Sequence, residues 1–194
     1  LKKSIIIISL IVLSVVLIIL GLVAFSYTQI SASFKDISSV NVELETLSLS
    51  YLITLGLDVL SGNWLSAALD VIAGIELGLV FELTNNGLLP VYIPELEYDL
   101  SINGIYIGTG SSVIDATINP GEAKQINVTQ NFQKKSLSPS IESIINNNGI
   151  IDVEIKGVAY FELTGFKIPF EFESSKQVSI VDGIQKQLTQ QSLP

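Results

Sequence analysis

The chain has no cysteine, no histidine, no methionine and no arginine among its 194 residues. Without Cys there is no disulfide frame, no thiolate nucleophile and no Cys-ligated metal. Without His the commonest general base, the usual switch near neutral pH and the commonest zinc ligand are all missing. All ten basic residues are Lys, which rules out bidentate guanidinium recognition of phosphate or carboxylate. Charge is scarce as well, at 15% against 48% hydrophobic residues, a low share for a soluble globule. Such a composition suits a harsh exterior. It offers no expected cofactor and no expected metal site.

The few charges are unevenly placed. Residues 1–35 carry Lys2, Lys3 and Lys35 and no acid. The remainder carries seven Lys against nineteen Asp and Glu, a net −12. A domain this acidic repels phosphate, so nucleic acid is not an expected partner.

What is abundant is apolar. From Ser4 to Phe25 the chain is uncharged and almost wholly Ile, Leu and Val. About 20 such residues span the hydrocarbon of a bilayer as a helix. Lys2 and Lys3 predict a cytoplasmic N-terminus and an extracytoplasmic domain, a single-pass membrane arrangement. The lipid bilayer is thus the expected partner of residues 4–25. A cleaved signal peptide is the competing reading, with small residues at Ile30-Ser31-Ala32-Ser33. The apolar core is longer than a signal core of about 7–15 residues, which favours the uncleaved anchor. The expected organisation is an anchor at 1–25, a polar linker at 26–39, a domain at 40–181 and a flexible Gln-rich tail at 182–194.

The domain reads as strands. Val40–Tyr51 alternates, with a phase change near Thr46 that predicts a bulge. Trp64–Ala73 has Leu65, Leu69 and Ile72 at helical spacing after a Ser61-Gly62-Asn63 turn, a short helix expected to pack on the sheet. Leu77, Leu79, Phe81 and Leu83 share one face at a period of two. The corner Asn85-Asn86-Gly87 and Pro90 follow. Leu96, Tyr98, Leu100 and Ile102 then share a face opposite Glu95, Glu97 and Asp99. Asn103-Gly104 between alternating runs predicts a two-residue hairpin, since both residues accept positive φ. Ser111–Ile118 and Gln125–Phe132 are strands around an Asn119-Pro120-Gly121-Glu122 turn. Ser136–Asn147 predicts one helix, with Ser138 as cap and Pro139 at its first position. Ile151–Leu163 alternates throughout, and Phe166–Phe172 returns after Thr164-Gly165.

The stretch Val80–Gly110 resembles the water-stress and hypersensitive-response domain of group-two late embryogenesis abundant proteins. Asn85, Asn86, Pro90, Val91, Leu96, Tyr98, Leu100, Ile102, Asn103, Gly104, Gly108 and Gly110 fall in that family's order. The chain departs from it at Asn86-Gly87, where Pro-Asn is usual. The resemblance continues through Asp152–Ser175 and spans about Val40 to Ile180. It implies an all-β antiparallel sandwich, immunoglobulin- or fibronectin-like, with one or two short helices. It also implies a non-enzymatic domain associated with desiccation and other stress. Cell-envelope or protein clients are the expected partners of such a tethered extracytoplasmic module.

The residues themselves offer little chemistry. Glu95, Glu97 and Asp99, with Glu43 and Glu45 near, would suit a hard cation. Side chains two apart on a strand do not converge, so the solvated outer face of a sheet is the stronger reading. No nucleophile elbow, Ser-x-x-Lys element or phosphate loop is present, so no enzyme is expected. Asn127-Val128-Thr129 fits the N-glycosylation acceptor pattern on an outward face. The alternative function is a subunit of a surface filament, pilin-like or strand-exchanged, after processing of the apolar N-terminus. The helix start lacks an acidic residue and no processing site is evident, which counts against the pilin form.

Overall fold

The computed structural model describes residues 2–45, 64–163 and 165–181. The first element is a 27-residue helix, α1 (Lys2–Thr28). Its Ile6–Thr28 portion is long and apolar enough to cross a membrane, and its stretch from Ile6 to Leu22 is exposed. One residue, Gln29, separates it from strand β1 (Ile30–Leu44).

Six further strands follow: β2 (Ile72–Asn85), β3 (Val91–Ile102), β4 (Ile105–Ile118), β5 (Glu122–Gln133), β6 (Ile150–Leu163) and β7 (Phe166–Ser179). They form two antiparallel sheets, ordered β1-β2-β5 and β4-β3-β6-β7. The edges meet in pairs, β1 beside β7 and β4 beside β5. This is a three-plus-four sandwich of the expected kind. The alternating side chains explain it. Leu77, Leu79, Phe81 and Leu83 on one sheet face Leu96, Tyr98, Leu100 and Ile102 on the other, and all are buried. Burying that apolar area is the main stabilising term. Phe81 is the hub: its ring lies 5.8 Å from Phe34, 5.3 Å from Tyr98 and 5.8 Å edge-on from Phe172.

The two rings on the four-stranded sheet are seated over glycine. A Cβ on Gly110 would lie 2.3 Å from the Tyr98 ring, and one on Gly157 would lie 2.3 Å from the Phe172 ring. Gly110 and Gly157 are the β4 and β6 residues opposite Tyr98 in the ladder. Their missing side chains leave room for the two rings between the sheets.

The linker expected at 26–39 is replaced by structure. The helix runs on to Thr28, and Ile30 pairs with Asn85 as the first rung of the β1–β2 ladder. Ile30, Ala32 and Phe34 are buried. Small polar residues between them masked a period-two pattern, so the sandwich begins at Ile30 instead of Val40. Thr46, where a bulge was expected, lies outside the described residues, as do Ser61-Gly62-Asn63 and the 182–194 tail. Register shifts occur within β1 at Phe34/Asp36, Ile37/Ser39 and Glu43/Leu44.

Helix α2 (Trp64–Asp70) is shorter than expected, and Ile72 already belongs to β2. Leu65, Ala68 and Leu69 join the core, so it packs on the sandwich. The single helix expected over 136–147 is three pieces: α3 (Lys134–Leu137), a 3-10 turn (Ser138–Ser140) and α4 (Ile141–Asn146). Pro139 lies in the 3-10 turn, where its ring and lost N–H interrupt the ladder. Ser138 is the C-cap of α3, its Oγ donating to Lys134 O at 3.0 Å, and it does not serve as an N-cap.

Candidate functional surface

The residues that carry the sequence signature lie at opposite poles of the sandwich. Asn85 ends β2 at the pole where α1 enters. It is 1% exposed, and its side chain is fully used. Nδ2 donates to Leu89 O at 2.8 Å and to Ile118 O at 2.9 Å, while Oδ1 accepts from Gly87 N at 2.9 Å. One amide therefore ties the end of β2 to the start of β3 and the end of β4. A buried polar side chain is tolerated there because every group finds a partner. Asn86 is exposed, and its N–H bonds Gln29 O. Pro90 is exposed and closes the corner before β3.

Asn103 and Gly104 form the hairpin at the far pole, with φ of 52° and 75°. Ile102 pairs with Ile105, so the loop has two residues as expected. Asn103 also acts as a clamp. Its Oδ1 accepts from Asp152 N at 2.8 Å and its Nδ2 donates to Ser143 Oγ at 2.9 Å. This joins the hairpin to β6 and α4. Tyr98 lies between the poles at 2% exposure. Its hydroxyl donates to Gln130 Oε1 at 3.0 Å and so bridges the two sheets. Burial pushes its pKa up to about 12. The signature residues are thus a set of internal ties, and they do not form one site.

The acidic row lies on the outer face of the four-stranded sheet. Glu95 is paired with Lys167, whose ammonium sits 4.4 Å from the Tyr160 ring centre. Tyr160 donates to Glu97 Oε2 at 3.3 Å, and Thr109 donates to Asp99 Oδ1 at 3.1 Å. Lys156 bridges Glu154 and Glu173 at 3.4 Å and 3.1 Å. The carboxylates hold Lys156 and Lys167 above the ordinary lysine pKa, Glu173 acting most on the first and Glu95 on the second. Glu43 and Glu45, expected near this row, follow the other sheet, where Glu45 pairs with Lys134. Among the described residues no three acidic groups converge on a point that would hold a metal ion.

An open groove of about 540 Å³ crosses this face, lined by Glu97, Asp99, Thr109, Lys156, Glu171 and Glu173, among others. Its lining mixes these charged groups with apolar surface at Gly157, Val158 and Phe172, and ion pairs at so exposed a surface contribute little stability. On the other sheet Asn127 and Thr129 are both exposed on β5, an edge strand, flanking buried Val128. Sequence reasoning missed the seat of α1: Ser26, at 0% exposure, whose Oγ accepts from Leu88 N at 3.1 Å. A serine at the end of an apolar run, just before an alternating one, was the available signal.

The fold and these ties define a class: an antiparallel β-sandwich with helical caps, carrying a helix able to cross a membrane. The sequence model of the late embryogenesis abundant protein family matches residues 80–176, half of the chain. The chain belongs to that family, in its group-two, water-stress branch. The family is associated with stress and desiccation and is generally non-enzymatic. Among solved structures, a protein from Archaeoglobus fulgidus is 12% identical, covering 74% of this chain and 97% of its own at TM-score 0.44. An Arabidopsis thaliana protein is 12% identical, covering 74% and 78% at TM-score 0.49. A putative late embryogenesis abundant protein is 10% identical, covering 87% of each chain at TM-score 0.43. No curated protein matches the chain.

Proposed function

We propose that this chain is a membrane-tethered, extracytoplasmic, non-enzymatic module that protects surface components during drying or other stress. Family membership, from the match over residues 80–176, carries the reading. The span Ile6–Thr28 supports the tether, and Lys2 and Lys3 support a cytoplasmic N-terminus. The organisation is an anchor passing directly into the domain, with residues 4–25 in contact with lipid. The charged face around Glu97, Asp99 and Lys156 is the surface offered to envelope or protein clients, since its groups are hydrated and locally paired. The kink in β4, where Asp115 has φ 45° and Val113 is exposed, disfavours strand exchange along that edge.

Proteoliposomes carrying the full chain and a drying-sensitive enzyme test the role. Better recovery of enzyme activity or of entrapped dye than in protein-free vesicles, after drying and rehydration, is the expected result. Equal recovery refutes it. Protease treatment of intact cells tests the topology: the sandwich should be digested and the N-terminal segment retained in the membrane.

A further inference from the structure

The joint between α1 and the sandwich is short and hydrogen-bonded. Gln29 alone separates helix from strand. Asn86 N bonds Gln29 O at 3.0 Å, and Leu88 N bonds Ser26 Oγ at 3.1 Å. Gly87 sits so close that a Cβ there would lie 2.9 Å from both Ser26 Cα and Ser26 O. This is the position where the chain departs from the family's usual corner, and the missing side chain is what lets the helix end seat against it.

Depth follows from helix geometry. At about 1.5 Å per residue, roughly 20 residues cross a hydrocarbon core of about 30 Å. Counted from Ser4, just past Lys3, the core ends near Val23. Phe25, Ser26 and Tyr27 then lie at the far headgroup boundary, where aromatic rings are favoured. The corner bonded to Ser26 lies at the same depth. Leu88, at its tip, is 55% exposed. Of the other large exposed apolar residues described in the sandwich, Tyr106 and Ile150 lie toward the far pole, and Val113 lies mid-strand on β4, five residues up from Ile118.

We propose that the Asn85–Pro90 corner is a second membrane contact. Leu88 enters the headgroup and acyl boundary of the bilayer beside α1 and fixes the tilt of the sandwich on the surface. This rests on the tether reading above. The occupant is the bilayer because the corner is bonded to Ser26 of the helix that spans it and to Gln29 just beyond it.

The chain has no cysteine, so single nitroxides report on single sites. Leu88→Cys, Val113→Cys and Leu13→Cys variants of the full chain are labelled and placed in phosphatidylcholine vesicles. Collision rates with oxygen and with a water-soluble nickel chelate are measured by spin resonance. The expected result is a several-fold higher oxygen-to-nickel ratio at 88 than at 113, with 13 the most lipid-like. A ratio at 88 equal to that at 113, with 13 still lipid-like, overturns the corner contact and leaves the tether standing. A water-like label at 13 overturns both. A label at 88 shielded from both reagents overturns the contact in favour of packing between copies.

Discussion

Replacing Asn85 by Ala removes three hydrogen bonds at a site that is 1% exposed. Each neutral bond contributes about 1 kcal/mol net, and buried groups left unpaired cost about 1–3 kcal/mol each. Gly87 N–H and the Leu89 and Ile118 carbonyls all lose this partner, so about 3 kcal/mol is a conservative loss. Total stabilities are about 5–15 kcal/mol, so the variant should fold with a reduced margin. For a domain of this size about 2–4 °C is lost per kcal/mol, giving a fall in Tm of about 6–12 °C. The assay is thermal and urea unfolding of the full chain in detergent, followed by near-ultraviolet dichroism and Trp64 fluorescence. The Asn85→Asp variant adds a sign. Its carboxylate would face the same two carbonyl oxygens in a buried place, so its pKa is raised in the folded state. A raised folded pKa means that the folded state binds the proton more tightly. The deficit against the parent chain must therefore shrink as pH falls toward 4 and widen as it rises. A loss below about 1 kcal/mol in Asn85→Ala, or a deficit in Asn85→Asp that grows in acid, refutes the tie.

Gly157→Ala forces a methyl to within 2.3 Å of the Phe172 ring and 2.8 Å of Glu97 O; a cost of about 1–3 kcal/mol and a weakened near-ultraviolet signal are expected in urea unfolding. Tyr98→Phe loses the bridge to Gln130 at about 1 kcal/mol. In the parent chain, ultraviolet titration should find one tyrosine ionising at about 12; all six titrating together near 10 would contradict the buried ring. Stability should be flat from about pH 5 to pH 10. Glu82 is held low by Lys35 and Glu122 by the Asn119 amide, so their contributions are present above the ordinary carboxylate pKa and lost in acid. Lys156 and Lys167 are held high, so theirs are present below the ordinary lysine pKa and lost in alkali. The acid flank should be shallow because its groups are exposed; on the alkaline side buried Tyr98, raised to about 12, adds a further loss that begins above about pH 10, and a steep fall near neutrality would refute this. Expression in a glycosylating host should add one glycan mass that Asn127→Gln removes; an unmodified Asn127 refutes use of the acceptor.

The anchor, the hairpin and most strands could be read from local chemistry. An uncharged apolar run is long enough to span lipid or it is not, and period-two alternation selects a half-buried strand whatever it pairs with. Asn103-Gly104 states its own turn through the φ values it accepts. Leu96, Tyr98, Leu100 and Ile102 likewise declared one face of β3. Three features were not local. Residues 30–39 look like a polar linker until β2 pairs with them, because Ser31, Ser33 and Ser39 carry no strand preference of their own. The Ser136–Asn147 helix is periodic in sequence but broken at Pro139, whose effect depends on how far upstream the helix starts. Ser26 and Leu88 are 62 positions apart, and no periodicity links them.

The same division holds for the surface. The row Glu95, Glu97, Asp99 was visible as outward-facing, since alternation sets the side of a sheet. Its partners were not, because Lys167, Tyr160 and Thr109 come from other strands whose register is set by the fold. Asn85 and Asn103 stood in the chain as turn residues. Their roles as ties required the end of β4, the start of β6 and helix α4 to arrive beside them. Residue order alone thus determined the membrane-length helix, the β character and the family. The seating of the helix on the corner, the pairing of the charges and the use of each buried amide waited on folding, because those contacts join groups that only long-range strand pairing brings together.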